Sequence, residues 1–361
     1  MTRLAARVVA AALGSTAAMV VNGCSAPRRS LPPTPGPAAP SPTVVLAPEG
    51  CHADDLQGLW RCLEPDRSHA DLRRLAQPRP PGSEGHRMAR DRCRTALADL
   101  GYEVRLQPYD GGTNVVARRE GFKTPEHLVT LGAHYDHLPG CAGADDNATG
   151  VAAVLEVARV AARARFERTV EFVCWDGGEA GQTGSAAYAA EVDRRGFRGA
   201  VVLESIGYAS DEEDTQEIPK RFDEVFPDQS LALLDRGFRA DFLTVVADGP
   251  TEGWAKSFLR DAEDDLAFPG LLLVVSAAVK AKAKKDELYR SDHMSFWDAD
   301  LPAVLLTDTG GFRHPGHHCP EQGPSDDITR IDFAFFDKAT ATALAALVRG
   351  AKLRPALGTI R

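Results

Sequence analysis

The chain has 361 residues, 43% of them hydrophobic, with a formal net charge of -9 and a pI near 5.6. That length buries a sizeable core, in one large α/β domain or two smaller ones. The acidic balance and the absence of a long basic run exclude nucleic-acid binding as the main task, and Lys280 to Lys285 reads as a short solvated cluster.

Residues 1–24 have the form of an export signal: Arg3 and Arg7 form a basic start, Leu4 to Val21 is mostly small and apolar, and Val21-Asn22-Gly23-Cys24 follows. The pattern predicts lipoprotein-type processing with Cys24 acylated, and hence an envelope protein on a lipid anchor; plain secretion is the alternative. The run is broken by Gly14, Ser15 and Thr16, so a permanent span is not expected. Residues 25–49, rich in Pro, Ser, Ala and Thr, cannot bury enough apolar surface to order themselves and read as a tether. The folded domain is expected over 50–361, with no linker-like break and no repeat.

Beyond Cys24 there are six cysteines, and export would permit disulfides. Cys51 and Cys62 flank a loop or short helix and are the first expected pair. Cys141 and Cys319 stand beside candidate ligands and could pair, ligate or simply pack. Connectivity does not follow from sequence.

In chain order, His86 to Leu100 has helical spacing and is closed by Gly101. Short β-like runs follow at Tyr102–Leu106, Asn114–Ala117 and Leu128–Ala133. A long apolar helix is expected over Ala148–Ala164, a buried strand at Val170–Trp175, a helix at Ser185–Arg195 and a strand at Ala200–Ile206. Strands at Asp241–Val246, Leu271–Ser276 and Ala303–Thr307 come next, with a helix near Gly253–Asp264 and a closing helix over Asp332–Arg349. This alternation predicts a single α/β domain: a mostly parallel, mixed central sheet with helices on both faces. Ligands in such sheets bind at the carboxyl ends of the strands.

Polar motifs stand at four of those ends. His134 and Asp136 follow one strand in Gly132-Ala-His134-Tyr-Asp136-His137, and Glu179 follows another in Asp176-Gly177-Gly178-Glu179. Glu204 ends a third, and His318 lies in a loop after a fourth. Asp145 sits in the Gly-rich loop Gly143-Ala-Asp145-Asp146-Asn147, where Asn147 can cap the next helix. Taken singly, each has an ordinary structural account as a core histidine, a cap or a solvated carboxylate. Together they offer the His and carboxylate ligands that zinc takes, with Asp136 placed to fix the tautomer of His134.

These motifs resemble the co-catalytic zinc aminopeptidases, a family that also holds glutaminyl cyclases and some carboxypeptidases. The resemblance covers about residues 65 to 350. It is carried by Gly132–Asp136, Gly143–Gly150, Glu179–Ser185, Leu203–Tyr208, Ser291-Asp292-His293-Met-Ser-Phe-Trp297 and Thr307-Asp-Thr309. It implies two zinc ions, or one. His134 would bind one ion and Asp145 would bridge the pair. Glu179 and Glu204 would take one ion each, and His318 would complete the set. Ser291-Asp292-His293 would shape the pocket.

The chain departs from the family at one decisive place. The family carries two consecutive glutamates, the first a general base and the second a ligand. Register makes Glu179 the ligand and puts Gly178 where the base belongs. General acid–base catalysis contributes about 10²–10⁴-fold, so activity is expected to be impaired. Asp176 does not look like a replacement; His137 and His293 are other candidates. Beyond His318, Cys319 and Gln322-Gly323 stand where the family has Thr and an Asp-Thr pair. The expected activity is that of an exported zinc exopeptidase of aminopeptidase type acting on peptides. The alternatives are a non-catalytic metal- or peptide-binding lipoprotein of the same fold and, last, a cyclase-like acyl transferase. Restoring glutamate at 178 would then be expected to raise activity.

Overall fold

A computed structural model describes residues 48–282 and 291–355. The export signal, Cys24 and all of the tether but residues 48 and 49 lie outside the described residues. Among those described, no helix is long and apolar enough to cross a membrane.

The elements run α1 (Leu56–Trp60), α2 (Pro65–Leu75), α3 (Glu84–Asp99), β1 (Glu103–Tyr109), β2 (Gly112–Arg119), β3 (Thr124–His134), α4 (Gly150–Ala161), β4 (Arg165–Phe166), β5 (Arg168–Trp175), α5 (Thr183–Glu191) and β6 (Phe197–Glu204). They continue α6 (Phe222–Val225), α7 (Pro227–Asp235), β7 (Leu243–Asp248), α8 (Glu252–Leu266), β8 (Gly270–Val275), α9 (Ala277–Lys282), α10 (His293–Asp298), β9 (Ala303–Thr307), α11 (Phe333–Ala351) and β10 (Leu353–Arg354).

The eight-stranded sheet has the order β1-β2-β5-β3-β6-β9-β7-β8. Its centre, β5-β3-β6-β9, is parallel throughout; β2 and the β7–β8 pair join antiparallel to it, and edge strand β1 pairs antiparallel with β2. The central strands are apolar on both faces because helices cover both. On β6, Val201 and Leu203 join the core that holds α4 and α11, while Ala200 and Val202 face Tyr188 of α5 and Phe296 of α10. This is the period-2 alternation of a strand buried on two sides. All twelve residues of α4 are buried, which explains its unbroken apolar sequence.

Several elements differ from the sequence expectation. The helix expected from Ala148 starts two residues later, because Ala144–Thr149 forms a wide turn with non-helical backbone at Asp146 and Asn147. The short helices α6, α7, α9 and α10 carry too few turns for periodicity to stand out, and α2, eleven residues opened by Pro65, was not expected. Disulfides join Cys51 to Cys62 around α1, as expected, and also Cys93 to Cys174 and Cys141 to Cys319.

Candidate metal centre

The parallel register aligns the strand ends: His134 of β3 lies beside Trp175 of β5, and Glu204 of β6 beside Thr307 of β9. The loops leaving β3, β5 and β9 therefore open onto one place.

His134 is nearly fully buried. Its Nε2 stands 3.1 Å from Glu204 Oε1 and 3.3 Å from Asp146 Oδ1. Its Nδ1 lies 3.2 Å from the carbonyl oxygen of Asp136 and 3.4 Å from the Asp136 carboxylate. Asp136 also accepts from the backbone amides of Gly178 (2.8 Å) and Glu179 (3.2 Å), so one carboxylate fixes both the imidazole and the loop after β5. Burial acts to raise the Asp136 pKa, but His134 and the two amides outweigh it and hold the carboxyl below its usual range. Burial likewise opposes a charge on His134, yet Glu204, Asp136 and Asp146 lift its pKa well above the ordinary value.

The Gly143–Asn147 turn presents Asp146, not Asp145, to this point. Asp146 Oδ2 lies 3.0 Å from His318 Nε2 and 3.6 Å from His317 Nδ1. Asp145 points the other way: its Oδ1 accepts from the amide of Gly207 at 2.8 Å, and its Oδ2 is 3.5 Å from His314 Nδ1. Burial, with help from Asp326, pushes the Asp145 carboxyl up to about 8. The expected bridging role of Asp145 therefore does not fit the geometry. The peptide between Asp146 and Asn147 is cis, and Asn147 is anchored by donating to the Leu203 carbonyl (2.8 Å) and accepting from Gly150 N (3.2 Å), the capping role expected of it.

Glu179 Oε1 is 2.7 Å from His137 Nδ1, and its Oε2 is 3.5 Å from His318 Nε2. Glu204 Oε2 accepts from Ser291 Oγ at 2.8 Å, so Ser291 does reach the site. Burial pushes the Glu204 carboxyl up to about 8. His293 is buried, packs edge-on to Trp297 and is pushed down to about 3 by burial; this is a neutral packing residue, not a base. Asp176 is saturated by His86, Tyr135 and the amides of Thr113 and Gly177, which leaves it no lone pair to aim at a reacting group. At Gly178 a Cβ would fall 2.2 Å from His134 Cγ and 2.5 Å from its Nδ1, because the imidazole lies flat against the glycine.

Three residues that sequence reasoning passed over complete the frame. Arg79, fully buried, donates to the carbonyls of Leu75, Gln77, Tyr135, Ala142 and Gly143, and so clamps the loops that carry Asp136 and Asp146. Asp326 accepts from the amides of Asp145 (2.8 Å) and Asp146 (3.0 Å), a buried carboxylate in a region where 322–323 offers none. His317 stacks on His318 with centroids 4.0 Å apart. Pro78-Arg79-Pro80 and Asp326-Asp327 were visible as motifs, but nothing local tied them to the site.

Among the described residues, three groups of side chains come close enough to hold a cation: His134, Asp146 and Glu204; His137, Asp146 and Glu179; and Asp146, His317 and His318. Asp146 belongs to all three, as a carboxylate shared by two ions would. Buried polar atoms of His137, Asp146, Glu179 and His317 lack hydrogen-bond partners here, which is the state of ligands made for a metal. The donor set of imidazole and carboxylate fits zinc.

Residues 114–237 match the profile of peptidase family M28. Over 248 residues the chain is 29% identical to the uncharacterized protein YfbL of Escherichia coli, covering 63% of this chain and 68% of that one. It is also 29% identical over 193 residues to leupeptin-inactivating enzyme 1 of Streptomyces exfoliatus, covering 52% of this chain but only 40% of that protein. In fold, the chain resembles the aminopeptidase of Aneurinibacillus sp. strain AM-1 (TM-score 0.62, 14% identity, covering 85% of this chain and 98% of that one). It also resembles the glutaminyl cyclase of Porphyromonas gingivalis (TM-score 0.55, 18% identity, 79% and 98%). These likenesses, at 14% and 18% identity, show a shared α/β fold.

Beside the His and carboxylate cluster opens a cavity of about 590 Å³. His134, Glu179, Glu204 and His318 line one end; Phe222, Leu233, Phe242, Leu271, Leu273 and Leu305 line the other. Much of the apolar wall comes from the segment between β6 and β7.

Proposed function

We propose that the protein is an exported, membrane-tethered zinc exopeptidase of aminopeptidase type whose turnover is slowed by the absence of a carboxylate at position 178. The convergence of His134, Asp146, Glu179, Glu204 and His318 on one mouth of the cavity carries this reading. Asp146 would be the carboxylate common to both ions, with His134 and Glu204 holding one and Glu179 and His318 the other. When bound, zinc supplies Lewis-acid polarisation of a peptide carbonyl and activation of water.

The chain's own residues do the rest. Asp136 holds the His134 ring with Nε2 toward the site. Ser291 steadies Glu204. The carboxylates at the polar end of the cavity receive a free α-amino group, and its apolar end receives an apolar side chain next to the scissile bond. No group at 178 can take a proton from water or hand one to the leaving amine, which removes about 10²–10⁴-fold. Three disulfides support residence in an oxidising compartment. The sequence of residues 1–49 supports export and a lipid anchor at Cys24.

The packing of His134 against Gly178 favours one second reading: a zinc-binding, peptide-binding protein without turnover. Metal analysis and aminoacyl reporter assays on zinc-reconstituted protein separate the two. Close to two zinc ions with slow cleavage of Leu or Phe reporters supports the peptidase. Two ions with no cleavage above the metal-free protein supports the binding protein, and no bound zinc sinks both.

A further inference from the structure

Among the described residues four histidines stand near the two metal positions, His317 with its ring stacked on that of His318. His134 serves the position nearest Glu204, and His318 reaches the other from the solvent side with its ring 47% exposed. His137 approaches that second position from inside the protein. Its ring is completely buried and takes no part in lining the cavity.

The local structure aims this ring. The amide of His137 donates to the Arg79 carbonyl at 3.1 Å, which fixes the backbone. The ring lies over Gly143, where a Cβ would come within 2.5 Å of its Cγ and Cδ2. With φ at +57°, Gly143 both turns the loop and leaves room for the imidazole. So placed, Nδ1 stands 2.7 Å from Glu179 Oε1, yet neither atom makes a hydrogen bond of acceptable geometry and neither reaches solvent. The Nε2 atom is also without a partner. A buried imidazole with both nitrogens unsatisfied is costly; His293 and His314 share that state, but of the three only His137 stands in a group of side chains close enough to hold a cation.

A cation supplies the missing partner. Two ligand atoms on one tetrahedral zinc stand about 3.3 Å apart, given bonds of about 2.0–2.1 Å. The separations His137 Nδ1–Glu179 Oε1 (2.7 Å), Asp146 Oδ2–His318 Nε2 (3.0 Å) and Glu179 Oε2–His318 Nε2 (3.5 Å) straddle that value. We propose that His137 is a ligand of the second zinc, which is thereby held by four protein side chains: His137, Asp146, Glu179 and His318. This rests on the metal-centre reading above. Its consequence is an asymmetric pair. The second position is closed, as structural zinc sites are, while the position of His134, Asp146 and Glu204 has three protein ligands and faces the cavity.

X-ray absorption on the two-zinc holoprotein counts imidazoles without any mutation. Three per two zinc ions is expected, and two per two overturns the proposal. Zinc titration of His137→Gln should then show one equivalent weakened by more than about 100-fold, beyond the 10–100-fold that losing a mere hydrogen-bond partner of a ligand costs. The other equivalent should change by less than tenfold. Retention of both equivalents at the unmutated affinity, with the same absorption spectrum, overturns the proposal and leaves the two-metal reading intact. Failure of the unmutated protein to bind zinc overturns both.

Discussion

Replacing Gly178 with glutamate would put a carboxylate where proton transfer needs one, but the place is already filled by His134. The new Cβ would sit 2.2 Å from His134 Cγ, 2.5 Å from Nδ1 and 2.6 Å from Cβ. Carbon atoms in contact rest about 3.5–4.0 Å apart, so the ring or the loop must retreat by more than about 1 Å. The first atoms met are at the root of the histidine, so rotating its tip gives no relief. His134 Nε2 is 3.1 Å from Glu204 and 3.3 Å from Asp146, and metal–ligand bonds tolerate only about ±0.2 Å. A displacement of that size removes His134 from the metal. Overpacking costs about 1–3 kcal/mol, and each kcal/mol lowers the melting temperature by roughly 2–4 °C in a domain of this size. We therefore expect Gly178→Glu to lose zinc at the His134 position, melt several degrees lower and fall in activity, instead of gaining the 10²–10⁴-fold of a general base. Gly178→Ala, which adds the Cβ alone, should show the same zinc loss. Zinc content, melting curves and aminoacyl reporter rates on the three proteins test this. A Gly178→Glu protein with two zinc ions, an unchanged melting temperature and a rate at least about 10² higher would refute the steric reasoning.

Asp145→Asn should keep both zinc ions, since that side chain faces Gly207 and His314, whereas Asp146→Asn should lose both; metal analysis giving the reverse restores Asp145 as the bridge. Arg79→Ala should cost about 3–5 kcal/mol in denaturant unfolding, by leaving the carboxylates of Asp146 and Asp326 without their buried counter-charge. Arg79→Lys should not rescue it, because an ammonium cannot span five carbonyls. Cys141→Ser with Cys319→Ser should weaken zinc binding at the His318 position more than at the His134 position, as read by competition with a chelator. In zinc-free protein, Asp145 and Glu204 are each pushed up to about 8 by burial. Folding therefore holds protons that an unfolded carboxyl, with a pKa of about 4, has released. That stabilisation is complete below pH 4 and is lost as pH rises toward 8. His293, pushed down to about 3, is neutral when folded, and an unfolded histidine with a pKa of about 6.5 is mostly neutral above pH 7, so it opposes this only weakly there. The melting temperature should fall between pH 7 and pH 8; a rise would contradict these assignments.

Much of the fold was legible because each central strand is an apolar run that stops at a polar residue. His134, Glu204 and the loop holding Glu179 could be placed at strand ends from that pattern alone, and the parallel register brought them together. Choosing between Asp145 and Asp146 was not possible at that level. Neighbouring carboxylates in a turn point wherever the backbone sends them. Here φ and ψ of -103° and 95° at Asp146 lie outside any regular element, so no periodicity applies. Arg79 and Asp326 were hidden for a different reason: their partners lie up to 64 and 181 residues away. His137 was in plain view within the motif, but only the fold shows that its ring is buried with Glu179 for a neighbour. Gly178 was read as the place of a missing carboxylate; that His134 packs against it needed three dimensions.

The bridge between Cys141 and Cys319 joins residues 178 apart, one just before the turn that presents Asp146 and the other next to His318. Two of the groups that must meet at a metal are thus delivered by distant stretches of chain and locked together by an oxidation. In a compartment that keeps thiols reduced, the second position would lack that lock and the polypeptide would be an incomplete hydrolase. Oxidation then acts as an assembly checkpoint: the same event that finishes the covalent framework finishes the place where a peptide could be cut.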